Sequence, residues 1–598
     1  MTRNEALATT NYTLNKGDRK PQAFPLGTAL KRLLPLLAGE QRVVVPAFLG
    51  GLVSTASILL GPIIIGRTVD TYILNGNFGG VLTNGAILLL IYLCGLFASY
   101  FQTLAMGTVG RTVLFKLRNA LFTKLQELPL VFFTQNKSGD LISRINNDTD
   151  KLNQFFSQSL VQMMGNVFIM TGAAIFLLVL NVRLGAVALF PAIAVLILTA
   201  SISGWVKKKN VASLQALGSM SGEIQESLSN FKVIVAFNRL DYFRRKFNEA
   251  NERNYSASLA NGIVNGVLFP VYGLALHAAQ LVVLAYGLYL VAGGSLTVGV
   301  LIGFVLYVNS LYQPLRQLAV LWATLQQALA AVERISEVLK LESDMPVIAQ
   351  ASGPTVRTDA VLEFEHVRFR YPGGNEDVLR NVTFTLQRGK TYALVGPTGG
   401  GKTTTAFLMA RLYDPADGRV LLAGRDIRSY PAEERTQRIG FILQEPLLFT
   451  GTIRDNVLYG NEKYKGYSDE KLVQLLNERN VGALLSRFEQ GLETKVSSSA
   501  DAISLGQKQI VAFMRAVLRD PEVLILDEAT ANIDTVTEQQ LGQILDKLPA
   551  STTKVIIAHR LNTIANADEI FFINSGEITP AGSMQHALDM LMHGKRSS

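Results

Sequence analysis

Five stretches of this chain contain no Asp, Glu, Lys or Arg: residues 43–66, 71–110, 152–182, 184–206 and 254–315. A membrane span needs about 20 apolar residues, and a helix is the element that closes its backbone hydrogen bonds within such a segment. The last stretch is long enough for two helices, divided near Gly293-Gly294-Ser295. Six transmembrane helices are therefore predicted, at about 43–66, 82–106, 158–181, 184–206, 267–291 and 297–320. Composition points the same way, since 48% apolar and 17% charged residues exceed the apolarity of a purely soluble protein.

The net charge of +9 is a topology signal, not a nucleic-acid surface. Residues 1–42 hold seven Lys/Arg, 107–151 seven and 207–253 nine, whereas the connections 67–81, 181–183 and 292–297 hold only Arg67 and Arg183. Basic and nearly uncharged connections alternate, as the positive-inside rule requires. The N-terminus, both long loops and everything after the sixth span are expected in the cytoplasm. Cys94 is the single cysteine, so no internal disulfide can form. Residues 1–25 lack the apolar core of a signal peptide. Residues 1–27 are expected to be a disordered tail. Thr28 to Leu37 suits an amphipathic helix at the membrane surface, with Leu30, Leu33, Leu34 and Leu37 beside Lys31 and Arg32.

The two basic loops repeat apolar residues at helical spacing, as in Val113, Leu114, Leu117, Leu121 and Leu125. The membrane helices should therefore continue beyond the bilayer, with short connecting elements near 132–140 and near 219–230. The membrane domain spans 28–341. A linker follows at 342–358, where Asp344, Pro346, Ser352, Gly353 and Pro354 break both periodicities. Residues 359–590 then alternate strand-like runs (Val361–Phe369, Thr391–Val395, Val523–Leu526, Val555–Ala558, Ile570–Ile573) with helical stretches, and 591–598 are a tail. The fold class expected is a six-helix membrane domain fused to an α/β domain with a parallel sheet.

The chemistry lies in that second domain. Gly396-Pro397-Thr398-Gly399-Gly400-Gly401-Lys402-Thr403 fits G-x-x-x-x-G-K-[ST], after the strand-like Tyr392–Val395 and before a helical segment starting at Thr404. Its glycines let backbone N–H groups wrap a phosphate, and the helix N-terminus adds partial positive charge. Lys402 would reach the β/γ-phosphates and the Thr403 hydroxyl would hold Mg²⁺. Val523-Leu524-Ile525-Leu526 is a buried-type strand ending in Asp527 and Glu528. Asp527 suits a Mg²⁺ ligand at a strand C-terminus. Glu528 suits a general base on the attacking water.

Further motifs make a resemblance specific. Ile503-Ser504-Leu505-Gly506-Gln507 resembles the L-S-G-G-Q signature of ABC transporter ATPases. Gln444 matches the Q-loop, His559 the switch histidine, Asp534 the D-loop and Tyr371 the aromatic residue stacked on adenine. Phe132-Phe133 with Ser138-Gly139-Asp140-Leu141-Ile142-Ser143-Arg144 resembles the first coupling region of the exporter class, and the likeness runs over about residues 28–590. It implies that residues 396–404 and Asp527 bind Mg-ATP, that Gln444 contacts Mg²⁺ and senses the membrane domain, and that His559 contacts the γ-phosphate. Ser504, Gly506 and Gln507 would complete the ATP site of a second subunit.

Two departures bear on that partner. Leu505 stands where the family usually has Gly, in a place where backbone approaches phosphate closely. Val496-Ser497-Ser498-Ser499-Ala500-Asp501 stands where a V-G-E-R-G-like stretch is common. An intact catalytic half with an altered signature resembles one subunit of a heterodimeric exporter, with a tolerant homodimer as the alternative. The resemblance implies an integral protein of a bacterial plasma membrane. The spans, uncharged but for Arg316 in the sixth, suit amphipathic or drug-like cargo. Lipid or lipid-linked glycan flipping is the runner-up, and siderophore-type import a third reading. Asn166, His277, Gln280, Asn309 and Gln313 either line a cargo cavity or join neighbouring helices.

Overall fold

The computed structural model describes residues 12–14, 33–349, 359–496, 503–527, 535–557, 566–582 and 584–593. It divides into two compact units. One comprises Asn15–Leu125 and Gly139–Lys340, the other Met1–Leu14, Gln126–Ser138 and Leu341–Ser598.

The first unit holds six helices long and apolar enough to cross a membrane: Gln41–Ile73, Phe78–Glu127, Ser138–Leu180, Val182–Ser229, Leu240–Ala292 and Val298–Leu339. The second helix runs 50 residues and the fifth 53, so each is about 75–80 Å long and well beyond a ~30 Å hydrocarbon core. The predicted continuation of the helices past the spans is thus present. The short helix Leu130–Gln135 lies where the first connecting element was expected. The second connection comes later than the sequence suggested. The fourth helix runs unbroken to Ser229, and the short helix Phe231–Ala236 follows. The polar residues of 219–229 face outward on a continuing helix instead of opening a turn. At the N-terminal end, a 3₁₀ turn covers Leu34–Leu37, and residues 28–32 of the expected surface helix lie outside the described residues.

Small residues set the helix contacts, as expected where lipid supplies no hydrophobic drive between helices. A Cβ on Gly66 would come within 2.6 Å of the Gly299 carbonyl oxygen, and one on Gly172 within 2.3 Å of Leu59. The bundle interior gathers Leu59, Ala173, Leu177, Leu184, Ala188, Phe304, Tyr307 and Val308, all buried. The third helix is interrupted by π-helical turns at Arg144–Asp148 and Phe155–Ser159. The first of these buries Arg144 (1% exposed). Its guanidinium donates to Asp140 at 3.0 Å, to Glu337 at 2.8 Å and to the Arg334 carbonyl at 2.6 Å. Arg334 in turn reaches Asp140 and Asp148 at 2.6 and 3.2 Å. The third helix is thereby tied to the sixth by buried charge pairs and not by apolar packing alone.

The other unit is α/β. Strands β1 (Ala360–Phe369), β2 (Leu379–Gln387), β4 (Asp417–Leu422) and β5 (Arg425–Asp426) form an antiparallel sheet ordered β2-β1-β4-β5. A second sheet is ordered β12-β11-β3-β10-β9-β6. Its members are β3 (Thr391–Val395), β6 (Ile439–Ile442), β9 (Val523–Asp527), β10 (Thr553–Ile557), β11 (Glu569–Asn574) and β12 (Glu577–Pro580). All its neighbours are parallel except β11 and β12. A two-strand pair joins β7 (Gly451–Thr452) to β8 (Lys495–Val496). Every residue of β9 is buried, the mark of a strand covered on both faces. All five strand-like runs read from the sequence are strands here over their described residues, Ala558 lying outside them.

Candidate active site

Parallel pairing brings the site residues to one edge of the sheet. Ile557 of β10 is level with Leu394 of β3 and with Asp527 of β9, and Ile442 of β6 is level with Leu526. All four strands point the same way, so their C-terminal ends lie at the same edge. The Gly396 loop follows β3 and Gln444 follows β6, both at the C-terminal edge where α/β sheets bind ligands. Glu528 and His559 follow β9 and β10 in the chain and, with Asp534, lie outside the described residues.

The loop after β3 requires glycine. Gly396 has φ 147° and Gly401 φ 113°, conformations that residues with a Cβ rarely adopt. A Cβ on Gly396 would also sit 2.0 Å from the Ile573 carbonyl oxygen. The helix Lys402–Met409 starts directly from Gly401, with no side-chain cap on its first N–H groups, leaving them aimed into the loop as an anion cradle. Lys402 is 6% exposed, and its ammonium donates to the Gly396 and Pro397 carbonyls at 2.9 and 3.0 Å. Thr403 Oγ1 lies 3.4 Å from Asp527 Oδ1, and Asp527 is only 2% exposed. A hydroxyl and a buried carboxylate converging beside a phosphate loop are the hard oxygen donors that suit Mg²⁺.

Tyr371 lies just past β1. Its hydroxyl hydrogen-bonds Thr404 at 2.9 Å, and its ring meets Tyr413 and Phe369 edge-on. Burial pushes its phenol above the ordinary range, so it stays neutral. Thr404, the residue after the phosphate-binding pattern, is therefore the contact that ties the aromatic group to the loop.

Ser504 caps the helix Leu505–Leu518 in a reciprocal box with Gln507. The Gln507 amide also donates to the Arg487 carbonyl at 2.8 Å. Two signature residues thus hold the helix start in shape. Leu505 occupies the first helical turn with 39% of its surface exposed, so it projects outward and does not fill the core. Residues 497–501 of the divergent stretch lie outside the described residues.

Among the polar groups of the spans, Gln280 donates to Asn309 at 3.2 Å and Asn166 to Gln317 at 2.9 Å, joining the fifth and third helices to the sixth. His277 bonds Gln280 at 3.1 Å, and Gln313 is exposed. Sequence reasoning missed a further polar link. The Asp70 carboxylate accepts from the Thr297 hydroxyl at 2.5 Å and from the Gly299 N–H at 2.7 Å, joining the first helix to the start of the sixth. The available signal was Asp70 itself, the sole acid in the connection 67–81.

With this geometry established, comparison with known proteins decides the family. The model of the ABC transporter transmembrane region matches residues 44–315, and a second model, described as ABC transporter, matches residues 379–531. An uncharacterized ABC transporter ATP-binding protein of Bacillus subtilis, YfiC, is 33% identical over 558 residues, 93% of this chain and 91% of the relative. The chain belongs to the ABC transporter family. It is a half-transporter: a membrane region fused to an ATPase domain that couples ATP hydrolysis to transport. A fatty acid ABC transporter ATP-binding/permease protein of Mycobacterium bovis is 30% identical, over 85% of this chain and 79% of the relative. A multidrug resistance ABC transporter ATP-binding and permease protein of Lactococcus lactis is 30% identical, over 93% of each chain.

Proposed function

We propose that this half-transporter exports amphipathic molecules by alternating access, paired with a second, different half-transporter. The observation that carries the export of amphipathic cargo is the membrane unit itself. Across the six spans read from the sequence Arg316 is the lone Asp, Glu, Lys or Arg, and most of the polar groups between them are engaged with one another. Such a wall suits cargo with a large apolar part. Relatives named for multidrug resistance and for fatty acids agree with that class of cargo.

In the ATPase domain, the loop Gly396–Thr403 would hold the triphosphate and Lys402 would exchange its two carbonyl partners for phosphate oxygens. Thr403 and Asp527, with Gln444, would hold Mg²⁺, which supplies charge neutralisation at the phosphates. Glu528 would take a proton from the attacking water, and His559 would contact the γ-phosphate. Tyr371 would stack on adenine. Ser504, Gly506 and Gln507 would complete the partner's site, with the D-loop Asp534 at the same junction. The N-terminus and ATPase domain would lie in the cytoplasm of a bacterial cell.

ATP binding would draw the two ATPase domains together and open the cargo cavity outward, and hydrolysis would reset it. Such a cycle does work only if cargo affinity differs between the two states. Leu505 argues for the heterodimer, because its side chain lies at the helix start that would face the partner's nucleotide.

Transport into inverted vesicles, with a panel of amphipathic dyes and with fluorescent lipids, tests the cargo. ATP-dependent dye uptake is expected. Hydrolysis stimulated by lipid, with no dye or drug moved, would replace the export reading by lipid flipping.

A further inference from the structure

The described residues 12–14 form a short strap within the ATPase unit. The Tyr12 N–H donates to Gln135 Oε1 at 2.9 Å, the Asn136 amide donates to the Tyr12 carbonyl at 3.0 Å, and the Leu14 N–H donates to Asn136 Oδ1 at 3.0 Å. The Tyr12 ring is 1% exposed and stands edge-on to Phe132. Its hydroxyl donates to the Glu342 carbonyl and accepts from the Asp344 N–H, each at 2.9 Å. One tyrosine thus joins the segment 126–138 to the start of the linker. A buried ring whose hydroxyl has two partners is a built contact, not a chance touch of a chain end.

Gln135 carries the contact onward. Its Nε2 donates to the Pro372 carbonyl at 3.3 Å, and Pro372 follows Tyr371 directly in the chain. Tyr371 reaches Thr404 in the helix that starts at Lys402. The Tyr413 ring packs edge-on against Tyr371 at 5.3 Å. A run of direct contacts and one chain neighbour therefore links Tyr12 to Thr404, the residue just past the ATP loop.

We propose that Tyr12 is a positioning residue for ATP: the strap fixes the Gln135 side chain, Gln135 fixes the Pro372 peptide, and that peptide sets the ring of Tyr371 for the adenine base. The proposal rests on the reading of Tyr371 as the adenine contact. It makes a distinction that general loosening of the fold would not. Losing the strap should weaken a ligand that has a base and spare one that has only phosphates, because the phosphate cradle of Gly396–Thr403 receives none of these bonds.

The test is titration of purified full-length protein with the fluorescent nucleotide trinitrophenyl-ATP, displaced by ATP or by tripolyphosphate, with thermal unfolding recorded in parallel. One to two hydrogen bonds' worth of positioning corresponds to about a three- to ten-fold weaker Kd for ATP in Tyr12→Ala. Gln135→Ala should match it, Tyr12→Phe should fall between, and tripolyphosphate should displace equally well from all. Tyr371→Ala should weaken ATP at least as much, and Tyr12→Ala/Tyr371→Ala no further than Tyr371→Ala alone, the mark of coupled residues. An unchanged ATP Kd in Tyr12→Ala and Gln135→Ala, with a weakened one in Tyr371→Ala, overturns the strap alone. So does equal weakening of ATP and tripolyphosphate, or full multiplication in the double variant. An unchanged ATP Kd in Tyr371→Ala overturns the adenine reading first, and the strap's route with it.

Discussion

At the residue scale, two acids show how position decides the role of a carboxylate. Asp527 is buried beside Thr403 at the sheet edge, and Glu528 is the next residue. Replacing Glu528 with Gln keeps shape and removes the proposed base. ATP should still bind, while hydrolysis should fall about 10²–10⁴-fold. A phosphate-release assay beside trinitrophenyl-ATP binding would check both halves. Asp344 is the opposite case. Its Oδ1 is buried without a hydrogen-bond partner, and desolvation, with repulsion from Asp414, raises its pKa. A raised carboxyl pKa means that the fold favours the protonated form. The cost is absent below the unfolded-state pKa and grows as pH rises through the folded one. Asp344→Asn should therefore melt higher than the native protein at pH 7–8, and the gap should close as pH falls towards 4. Thermal scans across that range would show it, and a gap independent of pH would refute it.

At the scale of elements, buried charge joins helices that apolar packing would let slide. Arg144 ties the third helix to Glu337 of the sixth. Because Glu337 keeps 25% of its side chain exposed, Arg144→Ala should cost about 3 kcal/mol, the low end for a broken buried pair. A lower melting midpoint, partly recovered by Arg144→Lys, would register it. Asp70 does similar work at the other end of the bundle. There Gly66 and Gly299 let two backbones approach, and the carboxylate accepts from the Gly299 N–H in the first turn of the sixth helix and from the Thr297 hydroxyl. Existence and type of these helices were legible because a run free of charge over 20 residues has few other solutions. Their partners were not. Which residue of one helix meets which of another depends on rotation about the axis, and Thr297 is 227 positions from Asp70. The delayed second connection has the same cause: the polar stretch 219–229 is compatible with a turn or an exposed helical face, and only the packed structure selects the helix.

At the scale of the whole molecule, the altered signature turns on a partner. Expressed alone, the chain should hydrolyse ATP far more slowly than when co-expressed with a second half-transporter carrying a standard signature. A normal rate from the chain alone, lost on Glu528→Gln, would establish a homodimer instead. By itself the sequence determined the six spans, the phosphate loop, the acid-ended strand and hence the ATP-driven membrane transporter. Each of those is a local pattern, in which neighbouring residues must satisfy one backbone geometry or hold one ligand. Only the tertiary structure decided that Asp527 stands beside Thr403, that Tyr371 touches Thr404, and that Tyr12 reaches Gln135 and Glu342. Those pairs are distant in the chain and carry no local period. Sheet register and the docking of the segment 126–138 against residues far along the chain bring them together.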